Sequence, residues 1–590
     1  MIDARFDDLT GASDSFRMIG PAGVVEARRP DEVAGVIAAA EAAAAMGSWV
    51  AGFVAYEAAP GLDDALAARR RADHDPFARL PLAWFAMFEG HERTVLPESQ
   101  HGPVSGSHDR WQPTVDRATY DAAIERIRGH IAAGDTYQVN HTLRMRSRIE
   151  GDERGLYRDL CYAQRGAYSS YLNLGRYRVL SASPELFFRI DDGRITTKPM
   201  KGTARRGRWS AEDDAVAEKL RGSVKDRAEN AMIVDMLRND LGRVARTGSV
   251  AWSDVFDLER YETVWQLTST VSADLEAQAG LVDVFRALFP SGSVTGAPKV
   301  RTMQIVADLE DAPRGVYCGA VGYLSPPNSG VPRARFNVPI RTVVLDTETH
   351  VAEYGVGGGI TWGSSAEGEY DELLAKARVL TARRPRFELY ETLRHDPAAG
   401  FRHLERHLAR LRSSAGYFGF RFDEQAVTDA LWRSANRFSD RPARVRVSLD
   451  RRGGVDAAAT ALVESSEPVR VAIDRDHPVD PSDPMLFHKN SLRSMYEEAL
   501  ERHADADDVL LVNDRGEITE TTIANLAVSL DGVWVTPPLD AGLLPGVGRE
   551  VALEQGWLRE ATIRLEDLAR ADAIELVSDV RGRRPVLLVD

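Results

Sequence analysis

Cysteine is nearly absent: Cys161 and Cys318 are the only two among 590 residues. Each stands alone in an apolar or glycine-rich context. That excludes a disulfide framework and makes a reducing compartment, the cytoplasm, the expected setting. A basic excess is missing too. Lys and Arg number 74 against 89 Asp and Glu, a formal net charge of −15, which argues against nucleic acid or an anionic membrane as the main partner. An anionic ligand would then need a locally basic pocket. Long apolar runs are lacking as well. The nearest, Val33 to Tyr56, is largely alanine, contains Glu41 and is interrupted at Gly47-Ser48; a helix followed by a buried strand is expected there, not a membrane span. Met1 to Asp8 is acidic without an apolar core, so no signal peptide is expected. What is present, 44% hydrophobic and 28% charged residues, is an ordinary globular composition. The length allows roughly three or four domains of about 150 residues each.

One stretch organises the first half. Ser-Ala-Ser-Pro-Glu-Leu-Phe-Phe (181–188) leads through Asp191-Asp-Gly-Arg194 to Thr-Thr-Lys-Pro-Met-Lys-Gly-Thr (196–203). Asp and Gly tolerate the dihedrals of a tight turn, so the spacing predicts a hairpin with Leu186–Phe188 going out and Ile195–Thr197 returning. Glu185 and Lys201 then fall at the same end of it. A carboxyl facing an amine there is either a surface ion pair or an acid–nucleophile pair.

Around it lie further words. Gly134-Asp-Thr-Tyr-Gln-Val-Asn140 follows a helical pattern. Lys225 to Gly242 carries Asp226 and Glu229 three apart, on one side of a predicted helix, and Glu367 to Arg378 repeats the device with Glu369 and Glu372. Each pair alone reads as a solvated acidic face; two such helices together would suit Mg²⁺, a hard cation held by one or two carboxylates. Between them, Phe289 to Lys299 is rich in small residues that let backbone N–H groups approach an anion, and Arg341 could hold a carboxylate bidentately.

Ser-Pro-Glu-Leu-Phe, Lys-Pro-Met-Lys-Gly-Thr and these companions resemble the chorismate-utilising enzymes over most of residues 120–380. The resemblance implies that Glu185 and Lys201 are catalytic, that Gln138, Thr203, Thr295, Tyr323, Arg341, Gly358, Gly359 and Lys376 bind substrate, and that Asp226, Glu229, Glu369 and Glu372 hold Mg²⁺. Two positions bear on the branch. Anthranilate synthases carry alanine where Lys201 stands and aminodeoxychorismate synthases lysine. Isochorismate and salicylate synthases carry a water-activating lysine where Gln138 stands, and glutamine cannot act as a base at neutral pH. Ammonia rather than water is the expected nucleophile. Many relatives also have a histidine where this chain has Gln266, which puts histidine-assisted elimination of pyruvate from the ring in doubt.

Composition changes at Thr381-Ala-Arg-Arg-Pro-Arg386. Beyond it come a strand-like Phe387 to Arg394, a helix with Leu404, Leu408, Leu411 and Ala415 on one stripe, Phe487-His-Lys-Asn-Ser-Leu-Arg493, Glu517 to Leu526 and Thr536 to Arg549. This order resembles the class IV pyridoxal-phosphate enzymes across 387–590. It implies a Schiff-base lysine at Lys489, Glu520 on the pyridinium nitrogen, and Arg410 with the amides of Val547 and Gly548 on the phosphate. Relatives often have threonine where Gly548 stands, so one hydroxyl to the phosphate is expected to be missing.

The expected fold class is α+β: a large two-sheet domain over 1–382 (an N-terminal part to 110, a catalytic core from 119), a linker at 383–386, and a two-subdomain α/β aminotransferase-like domain over 387–590. The expected chemistry is amination of chorismate, then pyridoxal-phosphate-dependent loss of pyruvate to leave 4-aminobenzoate. Ammonia, or a separate glutaminase subunit, is the expected nitrogen source, and the second domain is expected to form a homodimer. An anthranilate synthase fused to an aminotransferase and a non-catalytic chorismate-binding scaffold are the alternatives.

Overall fold

In the computed structural model, which describes residues 2–10, 15–97, 111–381, 386–463 and 467–589, the Asp-Asp-Gly signal produces its hairpin. Strands Leu186–Asp191 and Arg194–Lys198 pair antiparallel, Ile190 opposite Ile195. Asp192 (φ 46°) and Gly193 (φ 76°) form the two-residue loop, both in the left-handed region that matches strand twist. Most of the loop expected over 96–113 and residues 383–385 of the expected linker lie outside the described residues.

The chain forms two compact units, Met1–Arg205 with Ala217–Arg384, and Arg206–Val216 with Pro385–Asp590. Residues 206–216, which a boundary at 383–386 leaves with the first part, therefore pack with the second.

In the first unit the expected two sheets are halves of one antiparallel network of eighteen strands. One half runs Gln138–Arg148, Val351–Ile360, Thr342–Asp346, Tyr177–Ser183, Tyr168–Asn173. Through Asp3–Asp7 and Phe16–Ala27 it continues into Ala83–Arg93, Trp49–Val54, Ala320–Leu324, Ala334–Asn337, the hairpin and Val264–Asp274. Both halves contribute to a shared core of Phe6, Phe16, Phe53, Val179, Val321 and Val344. Side-chain alternation does the sorting: Trp49, Ala51 and Phe53 enter that core, while Val50 and Val54 join a second core with helices Pro30–Ala45 and Leu281–Leu288. A third core sits under helices Arg117–Ala132, Glu153–Gln164 and Ala366–Ala377.

The second unit has two subdomains. A four-stranded sheet, with Leu389–Asp396 and Ala443–Leu449 paired, packs on helices Leu404–Phe418 and Glu424–Ala435; Leu408, Leu411 and Ala415 are buried as their spacing requires. An eight-stranded sheet includes the parallel pairs Val469–Val479 with Asp508–Asn513 and with Gly582–Leu588. Among the described residues no helix is long and apolar enough to cross a membrane.

Candidate active sites

In the first unit the strand Met200–Arg205 leaves the hairpin and pairs with Val264–Asp274. It carries Lys201 toward the end of strand Val351–Ile360, whose glycines leave room. A Cβ on Gly359 would stand 2.3 Å from Gln138 Nε2 and 2.5 Å from Lys201 Nζ, and one on Gly358 would stand 3.1 Å from Glu369 Oε2. Gln138, Lys201, Gly358, Gly359 and Glu369 thus converge. Lys201 Nζ lies 3.8 Å from Glu229 Oε2. Gln138 is buried and its Oε1 has no partner among the described residues. Glu185 is buried at the strand entrance; burial pushes its carboxyl up to about 7, against a hydrogen bond with Ser293 and the charge of Lys201. It is an acid that still holds a proton near neutrality.

The helix Ala366–Ala377 presents Glu369, Glu372 and Lys376 on one face. Lys376 Nζ bonds Glu372 Oε1 at 2.6 Å and the Gly357 carbonyl at 3.0 Å. Burial lowers the Lys376 pKa and raises that of Glu369; for Glu372 it is outweighed by Lys376, which holds the carboxyl low. Arg341, in left-handed backbone (φ 54°), donates to the Lys376 carbonyl at 2.9 Å, and its buried Nε has no partner among the described residues.

Other expected residues are placed differently. Tyr323 is a core residue, its ring packed against Phe6 (5.1 Å), Phe16 (5.2 Å) and Trp49 (6.4 Å), because strand alternation turns it into the shared core. Thr295 donates its hydroxyl to the Ser291 carbonyl at 3.1 Å and so closes its own turn. Thr203 is exposed and bonds Gln266 Oε1 at 3.0 Å. Asp226 is the third residue of helix Val224–Gly242, and its carboxylate accepts from the capping Ser223 hydroxyl. Among the described residues no three acidic or histidine side chains stand together as a metal cage. The donor chemistry of Glu229, Glu369 and Glu372 fits Mg²⁺, which is held by one or two carboxylates and completed by water and substrate oxygens.

In the second unit, Arg410, Lys489, Glu520, Val547 and Gly548 line one cavity of about 330 Å³. Lys489 Nζ sits 4.8 Å from the centre of the Tyr390 ring. Burial lowers its pKa, opposed by Tyr390 and reinforced by Arg410. Glu520 accepts from Tyr496 (3.0 Å) and Asn525 (3.2 Å), and burial drives its carboxyl up to about 8. Arg410 is clamped by Glu391, Nε to Oε1 and Nη2 to Oε2 both at 2.8 Å, and donates Nη1 to the Pro545 carbonyl. Among the described residues three of its five N–H groups are engaged, which leaves two for an anion beside the start of helix Val547–Glu554. A buried acid for a ring nitrogen, a buried lysine and an arginine at a helix start are the donor set that pyridoxal phosphate requires.

Glu391 escaped the sequence reading, as did His407, which bridges Glu391 (2.7 Å) and Asp579 (3.0 Å). Glu391 lies inside the strand-like word that opens this half, next to Tyr390, and an acid at the alternating position between Leu389 and Leu393 was the available signal. Gly548 gains a physical reason: a Cβ there would stand 2.8 Å from the backbone nitrogen of Asp579, so a threonine does not fit this backbone.

The chorismate binding enzyme family model matches residues 8–382. The chain belongs to that family. The class IV amino-transferase model matches residues 388–589. Aminodeoxychorismate synthase of Streptomyces griseus is 43% identical over 295 residues, 49% of this chain and 39% of that one. Anthranilate synthase component 1 of Aquifex aeolicus is 38% identical over 271 residues, 46% and 53% of the two chains. The chain spans about half the length of the curated relatives it matches. The crystal structure of anthranilate synthase component I from Streptococcus pneumoniae superposes with a TM-score of 0.54 at 23% identity, covering 64% of this chain and 92% of that one; it shares the fold.

Proposed function

We propose that the first unit converts chorismate and ammonia to 4-amino-4-deoxychorismate, and that the second removes pyruvate from this product to leave 4-aminobenzoate. The observation that carries the reading is Lys201, a nucleophile standing beside Gln138 and Gly359 with a protonated acid, Glu185, at the same strand end. Deprotonated Lys201 would form a C–N bond at C2 of the ring. The C1=C2 and C5=C6 double bonds move to C1=C6 and C4=C5, the C4–O bond breaks, and Glu185 gives its proton to the departing oxygen, so that water leaves. Ammonia then bonds C4, the double bonds return, Lys201 departs from C2, and the Glu185 carboxylate takes a proton from the new amine. Mg²⁺, held by Glu229, Glu369 and Glu372, would supply charge neutralisation for the substrate carboxylates.

In the second unit bound pyridoxal phosphate would supply an electron sink. Lys489 would take the proton from C4 of the aminated ring, the C3–O bond breaks to leave an aromatic ring, and the departing enolpyruvate takes that proton and tautomerises to pyruvate. Glu520 would keep the cofactor's ring nitrogen protonated, while Arg410, oriented by Glu391, and the amides of Val547 and Gly548 would hold its phosphate. The chain would work in the cytoplasm, where its two buried thiols stay reduced, with ammonia from a separate glutaminase subunit and as a homodimer through the second unit.

Chorismate without ammonia tests the carrying observation. Intact-mass measurement should show a covalent adduct that maps to Lys201 and is absent from Lys201→Ala; no adduct on rapid quenching, together with an undiminished rate in Lys201→Ala, would overturn covalent catalysis.

A further inference from the structure

Eleven residues encoded within the chorismate-binding stretch, Arg206–Val216, pack in the second unit, and their contacts there are specific. Tyr417 Oη donates to the Gly207 carbonyl at 2.6 Å. The Arg206 guanidinium lies 4.4 Å from the centre of the Tyr417 ring and donates to the Tyr417 carbonyl at 3.1 Å. Trp209 packs on Phe487 with ring centres 4.9 Å apart, and Arg208 covers both rings at 4.6 and 5.4 Å. Arg208 also donates to the Pro481 carbonyl at 3.2 Å. His488 is buried against Tyr417 at 4.4 Å and bonds Ser414 Oγ at 2.9 Å. Phe487 and His488 are the two residues directly before Lys489.

We propose that Arg206–Val216 is a working part of the pyridoxal-phosphate site: Gly207 and Trp209 are positioning residues that fix the Phe487–His488 backbone from which Lys489 projects. The segment touches neither cofactor nor substrate and acts through that backbone. Lys489 has a long, flexible side chain, so the aim of its amine depends on how firmly the preceding residues are held. This inference rests on the reading that the second unit binds pyridoxal phosphate.

The test uses the full chain. In Trp209→Ala the cofactor should dissociate on the order of three- to tenfold more readily, the range that loss of one aromatic pair implies. The pH at which the bound cofactor's absorbance band interconverts should also move. Trp209→Phe, which keeps a ring against Phe487, should restore both. If Trp209→Ala fails to fold, Tyr417→Phe serves instead: it keeps the ring, removes the hydroxyl on Gly207 and should shift the same spectroscopic transition in a chain that still unfolds cooperatively. Variants that match wild type in cofactor affinity and in the band's pH dependence would overturn the proposal. Wild-type chain that takes up no cofactor at all would instead refute the reading beneath it.

Discussion

Replacing Glu185 with glutamine removes a proton while keeping shape, and the structure sets what should follow. Burial pushes the Glu185 carboxyl from 4.5 to about 7. It is therefore about nine-tenths protonated at pH 6 and about one-tenth at pH 8. If its proton goes to the departing C4 oxygen, the wild-type amination rate, expressed per unprotonated ammonia, should fall about tenfold per pH unit above 7. Glu185→Gln should show no such limb and run about 10²- to 10⁴-fold slower, the usual worth of a general acid. Stability should move the other way. A carboxyl whose folded pKa is raised favours the folded state only while protonated. Wild type should thus lose stability as pH rises from about 4.5 through 7, by about 3 kcal/mol, and the glutamine variant should be spared that loss. Product formation with saturating chorismate, followed from pH 5.5 to 8.5 beside urea unfolding at pH 5 and 8, reads both. A glutamine variant at the wild-type rate, or a wild-type profile without a break near 7, would refute the assignment of the acid.

Lys489→Ala should abolish the visible absorbance band of the cofactor-loaded chain, and borohydride reduction should fix the cofactor to the peptide containing Lys489; labelling of another lysine would contradict the assignment. Gly548→Thr should weaken cofactor binding rather than supply a hydroxyl, since its Cβ would press on the Asp579 nitrogen at 2.8 Å; equilibrium dialysis measures it, and tighter binding would contradict the clash. Glutamine should not serve as nitrogen donor unless a glutaminase subunit is added, because Cys161 and Cys318 are buried and burial drives both thiols up, Cys318 to about 11, the reverse of an activated nucleophile. Sustained 4-aminobenzoate production from chorismate and glutamine with ammonia removed would contradict that expectation.

Much of the fold was legible because local chemistry dictates it. Asp-Asp-Gly makes the hairpin turn, and the period of Leu404, Leu408, Leu411 and Ala415 makes an amphipathic helix. Residues whose partners are distant in sequence were not legible. Glu391 grips Arg410 from nineteen positions away, and no spacing rule links a strand residue to a residue on the following helix across a tertiary contact. Tyr323 shows another limit: alternation tells that neighbours point to opposite faces, not which face is the shared core. Arg206 to Val216 reads as a polar run after the Lys201 word, since its one large apolar side chain, Trp209, does not announce that Phe487 is its partner. The carboxylate pairs were visible as i,i+3 repeats, yet their partners were not: Ser223 engages Asp226 and Lys376 engages Glu372.

The central claim turns on which amine the chain makes. Purified protein loaded with pyridoxal phosphate, given chorismate, Mg²⁺ and ammonium, should release 4-aminobenzoate and pyruvate in equal amounts. Without the cofactor it should instead accumulate 4-amino-4-deoxychorismate. Anthranilate as the product, or no consumption of chorismate, would contradict the account.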